Sequence, residues 1–185
     1  MGYAALERLA SSVPPGSGGL LAEHVPVDAW TLARWRPPFP QHPGPGAPAR
    51  LGAHVRAIEE AAAYSARRSA TLLTELLGTP PREVILTGGA ARSTLWPQIL
   101  ADVLGLPIHV PGVSESAAAG AAALAGLAIG VRPGAATPAD PSPPSAPLAV
   151  PTSGQAHICD RHYAQWIRRA DPPMLARRGG GHTGP

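Results

Sequence analysis

The stretch of the sequence best suited to bind a ligand is Val84–Asp102, where an apolar run ends in two adjacent glycines and a helical pattern follows. Gly88 and Gly89 carry no Cβ atom, so the backbone can adopt unusual angles and a flat ligand can approach it closely. The start of the following helix offers free N–H groups and a positive dipole end, which stabilise an anion by about 0.3–1 kcal/mol. The residue types therefore suit a ligand with a flat part and an anionic part. Two glycines by themselves more often form a tight strand-to-helix turn that binds nothing.

The sequence gives little indication of a metal-binding site or of a catalytic nucleophile. Seven histidines and one cysteine are present, and the one cluster is His157, Cys159 and His162. That spacing fits a solvated helix face better than a zinc site. The sequence contains no complete P-loop and no dinucleotide-binding fingerprint. We therefore assign no metal ligand and no catalytic residue in this chain.

The two glycines need a strand before them and a helix after them, and the surrounding pattern predicts both. Ser93 or Thr94 can cap the helix, and Gly105 can end it. The last helix of this region is rich in Ala and Gly, so it is expected to pack closely against a neighbour. Strand, helix, strand and helix in this order predict a right-handed parallel βαβ unit with a covering helix. The predicted elements are a strand at 83–87, a helix from about 95 to 104, a strand at 107–110 and a helix at 115–128.

A long amphipathic helix is predicted before this unit, and a short helix at residues 3–12 opens the chain. Apolar residues recur at steps of three and four, and Gly78 and Pro80 end the pattern. The charged residues Glu59, Glu60, Arg67 and Arg68 lie mainly off this stripe, so we interpret them as a solvated face. The stripe consists of Leu51, Val55, Ile58, Ala62, Ala66, Leu72, Leu73, Leu76 and Leu77.

The composition divides the chain into a foldable part and a tail. Residues 132–185 contain 10 Pro and 6 Gly, a share typical of disordered sequence. We predict a folded domain at 1–131, a Pro-, Ala- and Ser-rich linker at 132–152, a short amphipathic helix at 153–170 and a disordered tail at 171–185.

Charge and hydropathy exclude two classes of partner. All 15 basic side chains are arginine, and the formal net charge of +3 comes from the tail, because residues 1–131 contain 9 Arg and 9 acidic residues. A nucleic-acid-binding domain would concentrate positive charge on its folded surface, so we predict no nucleic-acid partner. The most apolar stretch is shorter than the 18–20 or so residues that a membrane span needs. With a single cysteine and no signal peptide pattern, the expected location is the cytoplasm.

Two motifs together resemble the C-terminal domain of the FGGY carbohydrate kinases, within the actin-like ATPase superfamily. The first is Thr-Gly-Gly-Ala-Ala-Arg-Ser-Thr-Leu-Trp-Pro-Gln-Ile-Leu-Ala-Asp at 87–102, and the second is Glu-Ser-Ala-Ala-Ala-Gly-Ala-Ala-Ala-Leu-Ala-Gly at 115–126. The segments 13–21 and 58–64 resemble the family as well. The loop at 33–39 is slightly more similar to the autoinducer-2 kinase branch than to the xylulose kinase branch. The sequence departs from the family in three places. Ala90 replaces a third glycine, Ala-Gly at 119–120 replaces the family's Leu-Gly, and the Pro-rich linker replaces the helix that usually follows.

The resemblance implies a partial actin-like (ribonuclease H-like) α/β domain and phosphoryl transfer from ATP to a sugar or polyol hydroxyl. Its nucleotide-binding residues would be Gly88, Gly89, Ala90, Arg92 and Ser93. Mg²⁺ is expected for the complete family enzyme, although we identify no ligands for it here.

The family's phosphate loops and catalytic Asp belong to the portion that precedes the matched region. The sequence therefore reads as about the last third of a kinase, inactive alone and reaching its substrate through an N-terminal lobe. Its exposed surface is expected to favour oligomers. The alternative is a non-catalytic kinase-like module that acts as a partner-binding adaptor or is an evolutionary relic.

Overall fold

The computed structural model describes residues 2–22, 48–111, 116–131 and 146–170. Two compact units share the chain, one built from residues up to Ser65 together with those from His157 onward, the other from Ala66–Ala156. The loop at 33–39 and the side chain of Glu115 lie outside the described residues. The elements are α1 (Tyr3–Ser11), α2 (Pro48–Leu77), β1 (Val84–Ile85), α3 (Trp96–Leu104), β2 (Ile108–His109), α4 (Ser116–Ala128) and α5 (Ala156–Ala170).

In the first unit, α1 and the first half of α2 approach closely because glycine lies at their contact. A Cβ atom added to Gly52 would overlap the carbonyl oxygen of Leu9. Helix α5 contributes Trp166, which is 2% exposed. The Trp166 ring lies 6.0 Å from that of Tyr64 and 6.3 Å from that of Tyr163, measured between centroids. Such tilted and stacked pairs add about 0.5–1.5 kcal/mol each beyond the area they bury.

The buried face of α2 differs from the predicted stripe. Leu51 and Ile58 of the stripe are 40% and 43% exposed, whereas Arg56 and Glu60 are buried. Small residues let the neighbouring backbone approach α2, so its inner face is formed by glycine, alanine and a polar pair rather than by large aliphatic side chains. The buried residues of the first half of α2 are Gly52, Arg56, Ala57, Glu60, Ala61, Ala63 and Tyr64.

The second unit contains the predicted parallel strands. In their register Val84 pairs with Ile108, and Ile85 pairs with His109. Helix α3 lies between them in sequence and buries Ile99, Leu100 and Val103. Gly105 ends α3 with φ 70°, in the left-handed region that glycine adopts readily. The predicted order of strand, helix and parallel strand is thus confirmed, and the fold is a helix-rich α/β fold with a small parallel sheet. Both strands are shorter than predicted.

A further segment lies against the outer side of β2. Ile108 donates its N–H to the carbonyl oxygen of Ala149 at 2.9 Å, and Leu148 donates to the carbonyl oxygen of Ile108 at 2.8 Å. This antiparallel bridge involves residues that the sequence analysis assigned to the linker. The boundaries of the four predicted segments stay a prediction.

Helix α4 does not show the close packing expected of an Ala- and Gly-rich helix. None of its residues is buried, and Leu124 is 69% exposed. The apolar end of α2 is exposed as well, with Leu76 at 80% and Leu77 at 73%.

Candidate functional site

The glycine turn after β1 has the geometry that its sequence suggested. Leu86 donates its N–H to the carbonyl oxygen of His109 at 2.8 Å, so the sheet pairing extends to the residue just before Thr87. Gly88 then adopts φ 77° and ψ −162°, a conformation that L residues with side chains rarely adopt. Among the described residues, no heavy atom other than those of the chain neighbours lies within 4 Å of a Cβ built on Gly88 or Gly89. No described residue therefore covers the backbone of this turn.

A single turn of 3-10 helix follows at Gly89–Arg92. Ala91 donates its N–H to the carbonyl oxygen of Gly88 at 3.1 Å, and Ser93 donates to that of Ala90 at 3.2 Å. Gly89, Ala90 and Arg92 are all exposed. The turn thus presents main chain, one methyl group and one guanidinium-bearing side chain to the surface.

Ser93 differs from the other predicted site residues because its side chain points into the protein. It is 5% exposed, and its Oγ accepts hydrogen bonds from the N–H groups of Trp96 at 2.8 Å and Leu95 at 3.2 Å. These are the donors that a helix start leaves without intrahelical partners. The structure therefore brings Gly88, Gly89, Ala90 and Arg92 together at the surface and makes Ser93 the cap of α3.

Two polar residues of α3 fix the helix to the segment beside β2. The Gln98 amide nitrogen donates to the carbonyl oxygen of Val150 at 2.8 Å and to Oγ1 of Thr152 at 3.0 Å. Asp102 accepts from the same amide at 3.0 Å and from the N–H of Thr152 at 2.7 Å. This network gives Asp102 a structural role and supports the helix that follows the glycine turn.

Glu60 is a residue that sequence reasoning misread as solvated. Its Oε1 accepts the Gly16 N–H and the Arg56 Nε–H, each at 2.9 Å, and its Oε2 accepts the Ser17 hydroxyl at 2.9 Å. Ser17 has φ 51°, and Gly16 and Gly18 also have positive φ. The carboxylate therefore holds a left-handed turn whose backbone would be strained without support. The sequence did contain one signal of this ion pair, because Arg56 and Glu60 are four residues apart on one helix and their side chains can therefore meet.

Glu59 lies beside this pair in a different environment. Its Oε2 is buried and has no hydrogen-bond partner in the described structure. Burial is the largest cause that raises the pKa of Glu59 from its ordinary value of 4.5 to about 7; the carboxylates of Glu7 and Glu60 contribute to this rise, and Arg56 partly offsets it. A carboxyl group with this pKa changes its charge near neutral pH.

Among the described residues, no three His, Cys, Asp or Glu side chains are grouped closely enough to hold a metal ion. Cys159, the one cysteine of the sequence, is buried, and His162 contacts Gly16. The described residues therefore provide no ligand cluster that we can assign to the Mg²⁺ expected of the family enzyme. Within the described part of the chain, no helix combines the length and apolar character that crossing a bilayer requires.

Known proteins similar to this chain are carbohydrate kinases. An autoinducer-2 kinase of Salmonella paratyphi A is 35% identical over 134 residues, covering 71% of this chain and 25% of its own length. The structure of a xylulose kinase from Rhodospirillum rubrum is similar with a TM-score of 0.59 and 26% identity, over 89% of this chain and 32% of that chain. A gluconate kinase from Lactobacillus acidophilus shares the fold with a TM-score of 0.62 at 20% identity.

The match therefore spans about a quarter of the length of the curated relatives. The profile of the FGGY family of carbohydrate kinases, C-terminal domain, matches residues 26–129, a range that includes the glycine turn, α3 and α4. The chain belongs to the FGGY family of carbohydrate kinases, and the matched region is the C-terminal domain of that family.

Proposed function

We propose that this chain forms the adenosine-binding part of an ATP-dependent carbohydrate kinase that phosphorylates a sugar or polyol hydroxyl. The observation that carries the proposal is the glycine turn, in which Gly88 has a positive φ and no described residue covers its backbone. Gly88, Gly89 and Ala90 would contact the nucleotide through the main chain. Arg92 would flank it at the surface, and Ser93 would hold the turn against α3. The proposal includes an actin-like domain and a cytoplasmic location.

We also propose that these 185 residues do not phosphorylate a sugar on their own. Phosphoryl transfer needs groups that hold the phosphates, a metal-binding carboxylate and a base near the acceptor hydroxyl. The matched relatives are about four times as long as the matched region. The remaining groups would then come from the portion of a kinase that this region does not match. ATP-dependent phosphorylation of a sugar by the purified chain would contradict this statement.

Nucleotide binding is testable without activity. Binding through one side of a cleft should be weak, with a dissociation constant on the order of 1 mM, which corresponds to about −4 kcal/mol. Titrating ATP into ¹⁵N-labelled protein should shift the amide signals of Gly88 and Gly89. No shift at several millimolar ATP would contradict the nucleotide proposal.

Two glycine variants distinguish a direct effect on ATP binding from a general loss of stability caused by backbone strain. Gly88→Ala places a methyl group in the open turn and strains the backbone, so ATP affinity should fall by about tenfold or more. Gly78→Ala is the matched control, because Gly78 also has positive φ, at 70°, and open space around it, but ends α2. Equal loss of ATP affinity in both variants would show that the effect comes from lost stability rather than from the turn.

A second outcome favours the alternative of a non-catalytic, partner-binding module. In that outcome ATP shifts the amide signals of the glycine turn, but adding an N-terminal kinase lobe to the chain gives no kinase activity. The exposed side chains of Leu76 and Leu124 are the observation on its side, because exposed apolar surface commonly marks protein contacts.

A further inference from the structure

The contact between α1 and α2 holds a carboxyl group whose surroundings disfavour its charged form. The backbones approach closely here, since any side chain at Gly52 would overlap the Leu9 carbonyl oxygen. Glu7 of α1 lies near enough to Glu59 of α2 to act on its charge. Close packing leaves little freedom to separate two like charges without moving the helices apart.

Three hydrogen-bond donors near this contact donate to the carboxylate of Glu60. Its carboxylate accepts the Gly16 N–H, the Ser17 hydroxyl and the Arg56 Nε–H. Arg56 is 6% exposed, so its ion pair with Glu60 is largely shielded from water.

Glu59 is left with a buried Oε2 that has no hydrogen-bond partner in the described structure. The charged groups acting on it are Glu7 from α1 and Arg56 and Glu60 from α2. The turn at residues 13–19 has no titratable side chain, and the His162 ring of α5 lies against Gly16. Two of the three charges near Glu59 are therefore negative, and the one positive charge already pairs with Glu60.

We propose that Glu59 makes the contact of α1 with α2 a pH-sensitive latch, closed while its carboxyl group is protonated and loosened when that group ionises beside Glu7. Ionisation places a negative charge on a buried oxygen without a donor and next to another carboxylate. The unfavourable energy is relieved when α1 moves away and lets water reach the oxygen.

The direction of the pH effect follows from the raised pKa. The pKa of Glu59 is about 7 in the folded protein, compared with an ordinary value of 4.5. Protonation thus favours the closed state, and this contribution is complete below about pH 4.5. It is lost as the pH rises through 7. The latch should be closed in mildly acidic solution and loosened in mildly alkaline solution.

Hydrogen–deuterium exchange of the purified 185-residue chain tests the latch directly. Between pH 5.5 and pH 8.5, protection of the α1 amides, corrected for intrinsic exchange, should fall by about tenfold. Glu59→Gln keeps the shape and cannot ionise, so its α1 protection should be independent of pH. Glu75→Gln is the matched control, because Glu75 is exposed on the same helix and its removal should leave the wild-type pH dependence.

Glu7→Gln gives a second and independent measurement. Removing the carboxylate of α1 should lower the pKa of Glu59, so the midpoint of the α1 transition should move to lower pH. Wild-type protection that does not change with pH, or a pH dependence that persists unchanged in Glu59→Gln, would overturn the proposal. Should Glu59→Gln fail to fold, an unmoved midpoint in Glu7→Gln would overturn it equally.

Discussion

Replacing Glu60 by alanine should be among the most destabilising single substitutions in the first unit. Glu60 is 3% exposed and Arg56 is 6% exposed. The substitution leaves the Arg56 guanidinium buried without its carboxylate and deprives the Gly16 N–H and the Ser17 hydroxyl of their acceptor. Removing one partner of a buried ion pair costs about 3–5 kcal/mol. Because the turn at residues 13–19 lies partly at the surface and can admit water, we expect about 3 kcal/mol.

Urea denaturation followed by circular dichroism measures this loss as a lower midpoint at unchanged slope. Glu75→Ala is the control, since an exposed carboxylate on the same helix should change stability by less than about 0.5 kcal/mol. Replacing both partners, with Arg56→Met and Glu60→Leu, should recover part of the loss, because no buried charge then remains. A loss below about 1 kcal/mol in Glu60→Ala would refute the reasoning that this carboxylate holds the left-handed turn.

Three further outcomes follow from contacts in the two units. Gly52→Ala should destabilise the chain by about 1–3 kcal/mol through overpacking against Leu9, measured by thermal unfolding, although alanine is the better helix former. Ser93→Ala should cost about 1 kcal/mol through loss of the α3 cap, and Ser93→Thr should recover most of it; equal losses would argue against capping. The exposed apolar residues, with Leu76 and Leu124 among them, should make the chain self-associate in size-exclusion chromatography, and a sharp monomer peak with cooperative unfolding would contradict this.

The parallel βαβ order was predictable because its signals are local and agree with each other. The run at 83–87 has strand composition and ends at glycines, and Gly105 ends the following helix. Ser93 was foreseen, together with Thr94, as a candidate cap, and the two glycines were foreseen to give the backbone unusual angles. That Ser93 points inward while Arg92 lies at the surface depends on the path of the 3-10 turn, which periodicity does not specify.

The buried face of α2 was not predictable from hydropathy because its residues are the reverse of the usual pattern. Large aliphatic residues such as Leu51 and Ile58 lie toward solvent, while Gly52 and small alanines line the contact. Burial of Glu60 depends on donors from a turn 43 and 44 residues earlier in the chain. Only long-range contacts distinguish such a carboxylate from a solvated one, so Arg56 and Glu60 looked like an ordinary surface pair.

Two glycine-rich turns with positive-φ residues, at 13–19 and from Gly88, lie in the described part of the chain, and their surroundings give them different roles. In the turn at residues 13–19, the Gly16 N–H already donates to the carboxylate of Glu60, and His162 fills the space beside Gly16. An anion approaching Gly16 would have to displace a buried side-chain carboxylate that is itself paired with Arg56. In the turn that begins at Gly88, no side chain of the described residues lies within 4 Å of the position where a Cβ would be. The same residue types therefore support the fold in the first turn and leave the second open to a ligand.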